Sequence, residues 1–402
     1  KMNYFNKNNL TEVINFGKMP MANDFLKDTK KKIFTYDLKL GFNKKFRLAQ
    51  IYNFPKPSKM FNDNYAFISS TSNDMKKHFQ KLSKKIKRIK KEISLLEIGC
   101  NDGVFLENFK EVRHLGVEPS KNVYQLSKRK GLNVINSFFN TKSVKQIENK
   151  YKKFNVIFGS NVICHIPNQE ELYNSVSKIL SSDGYFIFEE PYLLDMIKKT
   201  SYDQLYDEHI YIFSLSSVEL IAKNFGFHLF DAERIITHGG SMRYYLSKKK
   251  LKKTQRLTNY LKIEKKFQIH TINSLKKFAK KCKENKEIFY NKIKKIKNNN
   301  EVIYGFGATS KSTTILNFCN INKSHIKMIF DNSKTKINKF TPLTHIPIVN
   351  SKKFFKTEIK YCILFAWNHH REIFSKIKNS KNIQWLTHIN KSHFGKYKKY
   401  FI

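Results

Sequence analysis

Apolar residues along this chain recur in two alternating patterns: short continuous runs of four to six, and longer stretches in which they return at three- and four-residue steps. The first clear case is a basic helix over residues 74–91 leading into an apolar run at 95–98. Apolar runs at 114–117, 154–158 and 184–189 follow, separated by helical patterns after the 95–98 run, from Lys121 and from Gln169. That rhythm predicts βαβ units and a parallel sheet covered on both faces. Residues 248–300 contain neither Gly nor Pro, and Ile272, Leu275, Ala279, Cys282, Phe289, Ile293 and Ile296 fall on one helical stripe, which predicts a helical connector or hairpin. A second βα rhythm begins at Val302-Ile303-Tyr304. It continues through a helix at 315–318, strands at 326–330 and 361–365, and a last short strand near Trp385. Before all this, residues 1–73 are mixed, with the proline-punctuated Phe54-Pro55-Lys56-Pro57 and an aromatic-rich turn, Asn64-Tyr65-Ala66-Phe67-Ile68.

The expected organisation is therefore α/β: an N-terminal lobe (1–73), a Rossmann-like domain (74–247), a helical connector (248–300) and a second Rossmann-like domain (301–402). A length of 402 residues suits two or three domains at roughly 150 residues each. Lys and Arg number 76 against 32 Asp and Glu, a formal charge of +44, yet 40% of residues are hydrophobic and 14% aromatic, too many for a disordered basic chain. The cations are mostly Lys, whereas nucleic-acid readers lean on the planar fork of Arg, so a solvated surface is expected and a nucleic-acid partner is not. No apolar run approaches the ~18 residues of a membrane span, and the first residues lack the apolar core of a secretory signal, so the expected compartment is the cytoplasm. Cys100, Cys164, Cys282, Cys319 and Cys362 form no Cys-x-x-Cys pair, and no metal is expected.

Candidate chemistry begins at Leu95-Leu96-Glu97-Ile98-Gly99-Cys100-Asn101-Asp102-Gly103, an apolar strand running into an acidic glycine turn expected to open a helix. Glu118 follows the next strand, ~20 residues on, where an acid can hold a ribose diol. Acids at Glu97 and Asp102 would repel pyrophosphate but suit a cationic ligand such as the sulfonium and ammonium of S-adenosylmethionine. This loop, with Glu118-Pro119-Ser120, resembles the cofactor loops of class I S-adenosylmethionine-dependent methyltransferases. The resemblance implies that Gly99 and Gly103 approach the methionine part, and that Glu97, Asn101 and Asp102 help to order it. It further implies that Glu118 holds the ribose, that Ser137 and Phe138 contact adenine, and that Asn161 lies beside the methyl.

The segment Tyr202-Asp203-Gln204-Leu205-Tyr206-Asp207-Glu208-His209 concentrates titratable side chains. If it is helical, Tyr206 and His209 share a face at i, i+3. His209 is then the natural proton acceptor, Glu208 could orient it and raise its basicity, and Tyr206 could donate to a developing oxyanion. Read alone, the cluster suits a capped, hydrogen-bonded histidine better than a catalytic one. Together with His238-Gly239-Gly240-Ser241 it resembles the nucleotide-sugar C-methyltransferases, which methylate carbon beside a keto group on TDP-linked deoxyhexoses. Further segments carry the resemblance over nearly the whole chain: Phe16 to Asn23, Tyr65 to Ser70, Tyr304 to Lys311, Asp331, Thr344 to Ile348 and Ala366 to Asn368. The resemblance implies catalytic roles for His209, Tyr206 and Glu208, and an acceptor site including Tyr65, His165, His238, Gly305, Gly307 and Lys311.

Gly305-Phe306-Gly307-Ala308-Thr309-Ser310-Lys311 lacks the Walker spacing. Its amides and Lys311 suit the pyrophosphate of a nucleotide sugar, and a purely structural turn is the alternative. One departure stands out. The family's N-terminal lobe carries a four-cysteine zinc site, and the aligned positions here are Asn3, Asn6, Asn43 and Phe46, so no zinc is expected. Alternatives to keto-sugar C-methylation are an O-methyltransferase of the same fold and an RNA or DNA methyltransferase, the latter suggested by the charge and by Glu189-Glu190-Pro191-Tyr192. A non-catalytic nucleotide-binding scaffold is a third. Oligomeric state is left open.

Overall fold

The apolar run predicted at 95–98 lies at the centre of a seven-stranded sheet, where buried Leu95, Leu96 and Ile98 need cover on both faces. A computed structural model of the chain describes residues 5, 9–63, 65–377 and 382–402. The N-terminal segment forms β1 (Leu10–Pro20), β2 (Thr35–Asn43) and β3 (Leu48–Tyr52). The middle of the chain adds β4 (Ser94–Ile98), β5 (Arg113–Val117), β6 (Val134–Ile135), β7 (Phe154–Ser160), β8 (Leu180–Pro191), β9 (Tyr211–Ile212), β10 (His228–Ile235) and β11 (Ser241–Ser247). The last part forms β12 (Ile303–Phe306), β13 (Ile329–Asp331), β14 (Ile348–Asn350), β15 (Tyr361–Leu364) and β16 (Gln384–Leu386).

The large sheet runs β10-β11-β8-β7-β4-β5-β6. Its members from β8 to β6 are parallel, and β11 is inserted antiparallel between β8 and β10. The C-terminal sheet, β14-β13-β12-β15-β16, is parallel throughout. Strand order reverses between β4 and β7 in one sheet and between β12 and β15 in the other, and ligands of open α/β sheets bind at such switch points. The N-terminal strands make an antiparallel sheet, β1-β2-β3-β9, whose fourth strand is borrowed from the segment after His209.

The basic helix forms as Asn73–Ile89: Met75, Phe79, Leu82 and Ile86 are buried at helical steps, and the Ser72 hydroxyl accepts the Met75 N–H at 3.3 Å. The Gly- and Pro-free stretch becomes two helices, Gln255–Phe267 and Ile272–Asn298. No helix of the described residues is long and apolar enough to cross a membrane. One buried apolar cluster runs from Ile14 and Leu40 through Phe188 and Tyr202 to Ile303 and Ile363, so the three sheets share a core.

One local expectation is corrected, and one open segment is assigned. The glycine loop opens no full helix: it passes through turns into a short 3-10 segment, Leu106–Phe109. The Asn108 amide there donates to the carbonyls of Val104 and Phe105, competing with helix bonds. The N-terminal lobe, left unassigned by its weak periodicity, is a β-meander. At the positions aligned with the zinc motif, Asn43 accepts the Phe46 N–H at 3.1 Å, and the buried Phe46 ring stacks on Phe5 at 4.9 Å and 11°. Thiolates are unavailable there, since the first cysteine is Cys100, so the residues present do not fit a four-cysteine site; Asn3 and Asn6 lie outside the described residues.

Candidate functional site

Both switch points open onto one cavity of about 1040 Å³, lined from the first by Gly99, Glu118 and Asn161 and from the second by Gly307, Lys311 and Asn368. The segment carrying Tyr206 and His209 forms part of its wall, and it is not a helix. A 3-10 turn at Tyr202–Gln204 is followed by a turn in which the His209 N–H reaches the Tyr206 carbonyl at 3.0 Å, which delivers the expected i, i+3 pairing. His209 Nδ1 lies 2.8 Å from the Gln204 carbonyl, an acceptor, so Nδ1 carries the proton. Nε2 therefore accepts the Tyr206 hydroxyl at 2.7 Å. Burial drives His209 well below its ordinary value, with the charges of His165, His238 and Lys311 adding to the effect, and the imidazole is neutral at physiological pH.

Glu208 does not orient His209, contrary to expectation. The Gln204 carbonyl does so, while the Glu208 carboxylate accepts from Asn23 Nδ2 at 2.6 Å and the Tyr65 hydroxyl at 2.9 Å. Burial raises Glu208, and the bonds from Asn23 and Tyr65 hold the rise in check. Asn23 in turn accepts the Ser310 hydroxyl at 3.0 Å, so the N-terminal lobe, the acidic turn and the C-terminal part meet at one amide. Neighbouring Asp207 accepts the Ala22 N–H at 2.9 Å, and burial together with the charge of Glu208 pushes it up to about 8.

On the first switch point, Glu118 accepts the amides of Asn101 at 2.9 Å and Ser120 at 2.8 Å, and burial pushes it up to about 7. Each carboxylate oxygen keeps a lone pair for a ribose hydroxyl. Asn161, in the left-handed region at φ 53°, carries on the cavity wall a buried Oδ1 without a partner among the described residues, an acceptor suited to a cationic group. Phe138 adds an apolar face. This donor set fits S-adenosylmethionine. Four of the expected contact residues, Glu97, Asp102, Gly103 and Ser137, do not line the cavity. Glu97 is buried and raised well above the carboxylate range by burial. Asp102 is occupied by the Ser70 amide and Lys130 Nζ, at 3.3 and 3.2 Å. Gly103 is a packing position whose added Cβ would lie 2.2 Å from Leu132, and the Ser137 hydroxyl donates to the Phe138 carbonyl at 3.0 Å.

Tyr65, His165, His238, Gly307 and Lys311 all line the cavity. Gly305 does not: it lies inside β12, where an added Cβ would meet Ile329 and Phe365 at 2.9 Å, so its role is packing. Lys311 is buried, donates to the His238 carbonyl at 3.1 Å, and is lowered by burial to about 8. Two residues at the cavity were not among the expected site residues: Asn23, named only as the end of the Phe16-to-Asn23 segment, and Lys336. Lys336 Nζ donates to the Ala308 carbonyl at 2.8 Å and lies near Asp331 and Glu208, a partly buried cation hidden among many surface lysines. Cys164, His165 and His209 place donor atoms within 4.8 Å of one another, but the two imidazoles stack at 5.4 Å and 22°, so their lone pairs run side by side instead of converging on an ion.

Two protein families match the chain: the one described as methyltransferase domain over residues 67–231, and the one described as C-methyltransferase C-terminal domain over residues 236–389. The C-methyltransferase NovU of Streptomyces niveus is 25% identical over 381 residues, covering 91% of this chain and 89% of its own. Among solved structures, an S-adenosylmethionine-dependent methyltransferase of Thermotoga maritima, a possible histamine N-methyltransferase, is 18% identical with a TM-score of 0.35, over 43% of this chain and 89% of its own. The magnesium protoporphyrin IX methyltransferase of Synechocystis with bound SAH is 10% identical with a TM-score of 0.34, over 42% of this chain and 82% of its own. The chain thus pairs a methyltransferase domain with a C-methyltransferase C-terminal domain.

Proposed function

We propose that this enzyme methylates carbon beside the keto group of a nucleotide-linked deoxysugar through an enolate. The observation that carries the reading is the buried Tyr206–His209 pair, whose single tautomer leaves Nε2 as the lone-pair nitrogen of that imidazole, with a phenol proton resting on it. An acceptor ketone that takes the Tyr206 O–H in place of His209 frees Nε2. His209 then removes the proton alpha to the ketone, the carbon–hydrogen electron pair moves into the enolate, and Tyr206 holds the enolate oxygen. S-adenosylmethionine, when bound, supplies an electrophilic methyl on a sulfonium. Glu118, Asn101 and Asn161 bind and orient it at the first switch point, so alignment is the protein's main contribution.

Across the cavity, Glu208 with Asn23 and Tyr65 faces the sugar, and Gly307, Lys311 and Lys336 face the pyrophosphate side. The N-terminal lobe, methyltransferase sheet and C-terminal sheet are read as separate domains that each contribute a wall. The name of the NovU relative supports carbon as the target. The test is incubation with S-adenosylmethionine and a panel of TDP-4-keto-deoxyhexoses in heavy water, reading product mass and carbon-bound deuterium. The expected product is heavier by one methylene, with label exchanged only at the methylated or adjacent carbon. Methylation without exchange would indicate a hydroxyl acceptor, and cofactor binding with neither mass gain nor label would overturn the ketone mechanism.

A further inference from the structure

Glu190 stands at the end of β8 with no exposed surface, and the mechanism does not use it. Its Oε1 accepts three consecutive backbone amides, those of Val162 at 3.1 Å, Ile163 at 2.7 Å and Cys164 at 3.1 Å. Its other oxygen is buried without a hydrogen-bond partner among the described residues. Three successive N–H groups on one oxygen form an anion-holding nest, and the residue before them, Asn161, turns the chain through φ 53° to aim them there. The neighbouring Glu189 carbonyl fixes the Asn161 N–H at 2.8 Å, so the end of β8 grips this loop at four successive amides.

The gripped loop serves both halves of the cavity. Asn161 and Val162 line the cofactor side, and Val162 packs so closely over the glycine loop that a Cβ on Gly99 would come within 2.6 Å of it. His165 lines the acceptor side, its ring stacked 5.4 Å from that of His209, with a buried Nε2 that has no partner among the described residues. Between them, the Cys164 carbonyl accepts the N–H of Ile210 at 3.1 Å, tying the loop to the residue after His209.

From this geometry we infer that Glu190 is a positioning residue for methyl transfer, its carboxylate holding the 162–164 amides so that one loop sets the cofactor wall and the acceptor wall together. The inference rests on the reading of those two walls given above. Glu190→Ala leaves the amides without an acceptor, whereas Glu190→Gln keeps an oxygen of the same reach but without charge. The experiment compares both variants with the intact chain by calorimetric binding of S-adenosylhomocysteine, by amide hydrogen exchange over 162–164 with the helix Thr141–Lys150 as control, and by turnover. Glu190→Ala is expected to weaken S-adenosylhomocysteine about tenfold or more and to speed exchange at 162–164 while the control stays unchanged. Glu190→Gln is expected to lie between, about threefold weaker. If Glu190→Ala does not fold, Glu190→Gln decides alone. Folded variants that bind within 1.5-fold of the intact chain with unchanged exchange at 162–164 overturn the inference, even if they melt at a lower temperature. The binding and exchange readouts do not use the acceptor, so failure of the keto-sugar reading and failure of this inference are separately visible.

Discussion

At the scale of single residues, the decisive fact about His209 is which nitrogen holds the proton. With Nδ1–H fixed on the Gln204 carbonyl, the base has one usable lone pair, and it already carries the Tyr206 hydroxyl. His209→Asn is therefore expected to lower turnover about 10²–10⁴-fold while leaving S-adenosylhomocysteine affinity within about twofold, and Tyr206→Phe to cost about 10²–10³-fold. Single-turnover kinetics beside calorimetry checks both, and full activity in His209→Asn would sink the assignment. Because His209 is held well below its ordinary value, its protonation cannot set an acid limit near neutrality. Glu118 can. It sits at about 7, and ribose hydroxyls donate to its ionised form, so cofactor binding below that value must expel a proton. S-adenosylhomocysteine affinity is expected to rise from pH 6 to pH 8, by up to about tenfold per unit below 7, with proton release seen as a buffer-dependent binding enthalpy. Glu118→Gln should abolish that dependence, and a pH-independent affinity in the intact chain would contradict the role. The Tyr206–His209 pairing was legible because a three-residue spacing survives whether the segment is helix or turn. The partners of Glu208 were not legible: Asn23 is 185 positions away and Tyr65 is 143, and a single sequence carries no signal that joins them.

At the scale of elements, the strands that could be read were those buried on both faces, such as β4 and β7, which appear as continuous apolar runs. The meander β1-β2-β3 escaped because its alternation is broken by register shifts near Glu12 and between Asn15 and Lys18. The turn after Gly99 was misread as a helix start because propensity does not register a side-chain amide that takes the carbonyls of Val104 and Phe105. The same lobe shows what an altered motif does to an element. Where relatives are expected to close their N-terminal sheet with thiolates, Phe46 stacks on Phe5, and Phe5 also meets the edge of Tyr211 on β9 at 5.8 Å. The ring packing thus reaches the strand that follows His209. Phe46→Ala is expected to destabilise the chain by about 3–5 kcal/mol, measured by denaturant unfolding, while a strong chelator leaves the melting temperature of the intact chain unchanged. A melting temperature that falls on chelation would show that a metal does contribute.

At the scale of the whole molecule, the catalytic turn is held from three directions. Ala22 and Asn23 grip Asp207 and Glu208, and Thr314 donates to the Leu205 carbonyl at 2.9 Å. Asp203 accepts Trp367 Nε1 at 2.7 Å and His388 Nε2 at 2.9 Å. Converging so many polar groups on one interior leaves a titration signature that no single contact has. Glu118 and Glu190 at about 7 and Asp207 at about 8 are raised by burial, so the folded chain holds protons that the unfolded chain has lost. Their contribution is full below the ordinary carboxylate range and fades as pH rises through 7 to 8. Burial lowers His165 to about 3, and lowers His209 and His238 well below their ordinary value, so their contribution is full above the ordinary histidine range near 6.5 and is lost as pH falls through it. The acids lose their bound protons across the whole of pH 6 to 8, whereas the histidines act only below about 6.5, so the stability of the unliganded chain is expected to decline from pH 7 to pH 8. The formal charge of +44 changes little in that window, because the ordinary lysine range lies far above it and a buried exception such as Lys311, lowered to about 8, is a single charge. Melting curves at constant ionic strength at pH 7 and pH 8 test this: a stability that holds or rises over that unit would mean that the buried acids are ionised without cost.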